Sequence, residues 1–234
     1  YNAEIYTMND DREIINGYVE IENGKIKAVS RGNPEKTGET DIDAEGKMIF
    51  PGFIDIHTHM GLMSSGVGTE GEDFNEDSEP VTPHLRVIDA INPIDITFED
   101  ARRSGVTTVA VAPGSTNPVA GSICAIKTVG IRADKMLIRD IGIKFALGEN
   151  PKMTYLNKDE TPATRMATAA LIREILAKAQ RYQSDLVKAV DPEIDPPDYD
   201  IKLESLIPLL EGKIKAHFHC HRADDIFTAL RISK

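Results

Sequence analysis

Apolar and polar positions alternate with a period of two in several short runs of this chain and follow a helical period in longer ones. Glu4-Ile5-Tyr6-Thr7-Met8 reads as a strand ended by Asn9-Asp10-Asp11. Tyr18–Glu22 and Lys25–Ser30 alternate on either side of Asn23-Gly24. That dipeptide predicts a two-residue hairpin, because both residues tolerate a positive φ. Asp41–Phe50 alternates again around Glu45-Gly46. Together these runs predict a small β unit over residues 1–50. From residue 51 strands alternate with helices. Strands are expected at 52–59, 105–112, 121–129, 141–148 and 213–221, the β-branched run Val106–Val111 reading as buried. A short helix is expected at Phe98–Ser104. A long one opens at Thr161-Pro162, with Thr161 as cap and proline at the first helical position. Ile172, Ile175, Leu176, Ala179, Gln183, Leu186, Val187 and Val190 form its apolar stripe, with one polar lapse. Leu203–Leu210 predicts a shorter helix stopped by Gly212, and Asp224 and Asp225 suit the first turn of another.

The chain has 234 residues and a net charge of -11, from 27 basic and 38 acidic side chains. Such a length supports one or two domains with a sizeable core. An acidic surface repels phosphate backbones, which argues against nucleic acid as a partner. Two cysteines, Cys124 and Cys220, make no disulfide framework and suit a reducing compartment. No basic segment followed by an apolar run opens the sequence, and no apolar stretch approaches the about 20 residues of a membrane span. The expectation is a soluble, cytoplasmic protein without a membrane partner.

The candidate chemistry lies on strand faces. In Pro51–His59 the pleat puts Phe53, Asp55, His57 and His59 on one face and Ile54 and Ile56 on the other. Histidines at i and i+2 at a strand end can converge on one metal ion; they can also be ordinary polar residues of a half-exposed strand. In the run Ile141–Gly148, Ile141, Ile143, Phe145 and Leu147 share one face, and Lys144 stands among Gly142, Ala146 and Gly148 on the other. A buried ammonium is costly, so Lys144 either pairs with a carboxylate, snorkels to a mouth, or loses its proton. In Lys213–His221 the residues His217, His219 and His221 share one face, opposite Ile214, Ala216, Phe218 and Cys220. This is a second ligand set or the polar face of an edge strand. His84 falls in a long polar loop over residues 60–104 and reads as surface, and Cys220 as core. Such a loop is usually functional or disordered.

The segment P-G-F-I-D-I-H-T-H, residues 51–59, resembles the first barrel strand of the metal-dependent amidohydrolase superfamily. The run H-C-H-R-A-D-D-I, residues 219–226, resembles an imidazolonepropionase-related, prolidase-like subgroup. The resemblance implies an α/β fold: a TIM-like (β/α)8 hydrolase barrel, here only its first five or so strands, over residues 51–234, with residues 1–50 as part of a composite β-sandwich. It implies His57, His59 and His219 as metal ligands and Lys144, once carboxylated, as a bridging ligand. His221 would contact substrate or orient a ligand, and His217 would be a hydrogen-bonded interior residue. The catalytic base, an aspartate in the family, is expected beyond Lys234, so the 234-residue chain is expected to be inactive alone. The implied cofactor is a divalent metal, zinc by ligand type, as one or two ions. The implied activity is cleavage of a C–N bond in a small molecule by an intact homo-oligomer. A ring deaminase of the same superfamily and a metal-free scaffold of the same fold are the alternatives.

Overall fold

The computed structural model describes residues 1–64 and 66–234, in two compact units, Tyr1–Phe53 and Ile54–Lys234. In the first unit β1 (Ala3–Tyr6), β2 (Ile14–Glu22), β3 (Lys25–Arg31) and β4 (Met48–Ile49) form one sheet in the order β3-β2-β1-β4. Asn23 and Gly24 close the β2–β3 hairpin, both at positive φ, as their turn chemistry requires. Of the run Asp41–Phe50 only Met48 and Ile49 pair in the sheet, parallel to β1. Ala3, Ile5 and Ile15 make the small core of this layer.

The second unit is built on a curled five-stranded sheet, with strands in chain order. Its strands are β5 (Phe53–Thr58), β6 (Val106–Val111), β7 (Val119–Lys127), β8 (Leu137–Ala146) and β9 (Lys215–His219). The helices are α1 (Ile96–Arg103), α2 (Ala133–Met136), α3 (Glu149–Leu156), α4 (Arg165–Lys188), α5 (Ile201–Glu204), α6 (Ile207–Leu210) and α7 (Ala223–Ile232). Among the described residues no helix is long and apolar enough to cross a membrane.

Three sequence expectations change here. The strand near 121–129 does not run in a parallel barrel order: β7 is antiparallel to both β6 and β8. The reason is connection length. Residues 112–118 and 128–136 link these strands, and neither reaches the dozen or more residues that a parallel crossover needs. The long excursion from β8 through α3–α6 returns parallel, into β9. The strict alternation expected over Ile141–Gly148 also breaks. Ile123 pairs with Gly142 and Cys124 with Asp140, so Ile141 is an extra, bulged residue. It packs with Ala110, Ala112 and Ile123 and not with Ile143, Phe145 and Leu147. Finally, α4 starts later than Thr161-Pro162. Thr164 is its cap, accepting from the amide of Ala167. The stripe on α4 holds through Ile172 and Ala179, and Val187 and Val190 are exposed.

Helices and loops cover one face of the β6–β8 sheet. The segment after β5, with Leu62, Val87, Ile91 and Phe98, packs on Val109, Val111, Cys124 and Ile126. The long 60–104 connection is thus largely core-forming cover. Farther along, Ala169, Ile172 and Ala179 of α4, with Leu206 and Ala229, pack on Val119, Ile143, Phe145 and Leu147. The opposite face carries a small separate cluster of Ala110, Ala112, Ile123 and Ile141.

Candidate functional site

The pleat of β8 turns Lys144 away from the Phe145 core, and the parallel register sets its neighbours. Lys144 aligns with His217 and Ala146 with His219. A cavity of about 270 Å³ is lined by His57, Lys144, Ala216, His217, Phe218 and His219. Lys144 is 1 % exposed, and its Nζ has no hydrogen-bond partner among the described residues. Neither a paired carboxylate nor a snorkelling position describes it. Burial pulls its pKa down to about 8. Gly142 lets β9 come close: a Cβ there would lie 2.6 Å from the Lys215 carbonyl oxygen and 2.9 Å from His217 Cδ2.

Three of the histidines, His57, His217 and His219, have lowered pKa values. Burial, then the charges of Lys144 and His59, lower the pKa of His57. Burial and Lys144 do the same at His217. At His219 burial leads, followed by His221 and Lys144. Each shift favours the neutral imidazole, the form with a free lone pair. The rings of His57 and His59 meet edge to face at a centroid distance of 5.5 Å. His59 Nδ1 lies 2.7 Å from the Ala112 carbonyl oxygen. A carbonyl only accepts, so Nδ1 carries the proton and Nε2 is left free. Asp55 turns back on its own strand and accepts from the His57 amide at 3.0 Å.

His221 lies past the end of β9, with its Nε2 3.0 Å from that of His219. His217 lines the cavity beside Lys144 and, among the described residues, its ring makes none of the hydrogen bonds expected of an interior histidine. Its alternation with His219 was visible in the sequence; its level beside Lys144 needed the β8–β9 register. His84 is not brought to the cavity; its Nδ1 is enclosed elsewhere in the fold, without a partner among the described residues. Cys220 packs with the α4 core, facing away from the histidines.

Do these residues fit a divalent ion? Among the described residues no three His, Cys, Asp or Glu side chains are gathered as a ready cage. The donor chemistry nevertheless fits. Neutral imidazoles from two strands and an orphaned buried amine face one polar cavity, a nitrogen donor set that suits a divalent ion.

No family model matches the chain. The crystal structure of an amidohydrolase from Thermotoga maritima MSB8 superposes with a TM-score of 0.84 and 38% identity, covering 99% of this chain and 60% of that one. Amidohydrolase tasK of Hapsidospora irregularis is 28% identical over 237 aligned positions, which take in 90% of this chain and 24% of that protein. A 5-methylthioadenosine/S-adenosylhomocysteine deaminase of Bacillus thuringiensis (strain Al Hakam) is 41% identical over 73 residues, 30% of this chain and 17% of that protein. The chain therefore spans a quarter or less of these two curated relatives. Their names denote hydrolases acting on carbon–nitrogen bonds, and the likeness supports placing this chain in the amidohydrolase superfamily.

Proposed function

We propose that the chain carries part of the site of a metal-dependent hydrolase that opens a C–N bond of a small molecule, in the imidazolonepropionase-related, prolidase-like part of its superfamily. Residues 1–50 would belong to a composite sandwich and residues 51–234 to the barrel. The observation that carries this reading is the cavity where His57, His219 and the unpartnered Lys144 meet. His57 and His59 would hold one divalent ion, zinc by ligand type, and His219 would help hold a second. A divalent ion there would supply Lewis acidity and an activated water.

The chain's own groups prepare that site. His59 is fixed by its bond to Ala112, which aims the free Nε2. His221, bonded to His219, would set the ring angle of that ligand or touch the substrate. Lys144 holds its amine in a site that favours the neutral form. A neutral amine adds to carbon dioxide, forming an N–C bond and releasing one proton, and the resulting carbamate brings two anionic oxygens to the cavity. The cavity that Lys144 lines, about 270 Å³, leaves such a group room.

Metal analysis of the full-length protein purified from zinc-replete medium tests the reading. Bound zinc that falls in His57→Ala and Lys144→Ala, with the lysine variant rescued by a short carboxylic acid, supports it. A protein that takes up no zinc and is indifferent to His57→Ala refutes it and leaves a metal-free scaffold. The local likeness to the deaminase favours one second reading, deamination of an aminated ring. A single zinc per chain, unaffected by Lys144→Ala, would favour that reaction.

A further inference from the structure

Phe74 lies in an acidic segment, Asp73–Glu79, that the sequence leaves as loop. The structure clamps this segment against the turn that follows β6. The Gly114 amide donates to the Phe74 carbonyl. Thr116 Oγ1 donates to Asn75 Oδ1 at 3.1 Å, and Asn117 Nδ2 donates to the Glu76 carbonyl. Asn117 is 1 % exposed and fully used: Nδ2 also reaches Thr82 Oγ1 at 2.9 Å, and Oδ1 accepts from the Tyr155 hydroxyl at 2.6 Å. A Cβ at Gly114 would overlap the Asn75 amide and the Phe74 ring, so only glycine lets the two segments come this close.

The clamp places the Phe74 ring 5.8 Å from the His59 ring, centroid to centroid, at an interplanar angle of 50°. The same turn begins with Ala112, whose carbonyl accepts a hydrogen bond from His59 Nδ1–H. One turn thus fixes His59 twice, directly through a carbonyl and indirectly through the aromatic ring it holds. We propose that Phe74 is a positioning residue for His59, keeping the imidazole in the orientation that donates from Nδ1 and frees Nε2. What Nε2 then binds rests on the metal-site reading above; the orientation does not.

Nitrogen NMR of the imidazoles, joined to zinc competition against a chromophoric chelator, tests this in the full chain. Recorded at alkaline pH, where imidazoles are neutral, wild-type His59 is expected as one tautomer, with the proton on Nδ1. Phe74→Ala is expected to mix the tautomers and weaken zinc binding about tenfold, the low end for a residue that supports a ligand. Phe74→Leu, which keeps most of the volume, is expected to restore much of both. Asn117→Ala, remote from the ring, is expected to shift the His59 signal in the same direction as Phe74→Ala. An unchanged tautomer in Phe74→Ala overturns the proposal. If circular dichroism shows that Asn117→Ala does not fold, the two Phe74 variants decide. A wild type that binds no zinc refutes the metal reading, while the tautomer comparison still decides the role of Phe74.

Discussion

At the scale of single residues, Lys144 is a buried amine whose Nζ has no hydrogen-bond partner among the described residues. A buried amine without a partner costs about 1–3 kcal/mol, more when charged. Lys144→Met keeps the length and removes the polar atom. With a chelator present it is expected to be at least as stable as the wild type in urea unfolding at neutral pH. The sign with pH follows from linkage. The folded-state pKa is about 8, against 10.5 in the unfolded chain. Between these values the unfolded state binds the extra proton, so wild-type stability rises with pH across that window and the advantage of Lys144→Met shrinks. A constant difference from pH 7 to 11 would show that the amine is not buried uncharged. The two thiols make a second comparison. Cys124 is fully enclosed and burial pushes its pKa up to about 12, whereas Cys220 is only half-buried. Iodoacetamide under native conditions is expected to label Cys220 first, and labelling of Cys124 at the same rate would contradict its packing.

At the scale of elements, caps and connections decide where helices and strands fall. Threonine occurs at both 161 and 164, and sequence preference alone favours Thr161 because proline follows it. Only Thr164 accepts a bond from the first turn of α4. Thr164→Ala is expected to lower stability by about 1 kcal/mol, with Thr161→Ala near zero. Equal losses in thermal unfolding would refute the assignment. The bulge at Ile141 was not legible for a related reason. Period-two alternation predicts faces only while the register is unbroken, and the break is written in the pairing with β7. The antiparallel course of β7 was within reach of the sequence, since short links at 112–118 and 128–136 already exclude parallel crossovers.

At the scale of the whole molecule, the sheet of the second unit has two outer strands, β5 and β9. On β5 the face opposite the histidines shows Ile54 and Ile56, 66 % and 75 % exposed. Exposed apolar side chains on an edge strand invite pairing with another chain. The 234-residue chain is expected to self-associate as its concentration rises. A double variant, Ile54→Lys with Ile56→Lys, is expected to suppress this in light scattering without lowering the unfolding temperature. Unchanged association would place the sticky surface elsewhere. Much about the protein was already determined by its sequence: the hairpin at Asn23-Gly24, the order of strands and helices, and the facing of His57, His59, Lys144, His217 and His219. These follow from turn chemistry and side-chain period, which are local. The tertiary structure alone decided the level of His217 beside Lys144, the lack of a partner for Lys144 Nζ among the described residues, and the Phe74 ring against His59. Each of these depends on register between strands or on contacts between segments tens of residues apart, and no local period encodes such distances.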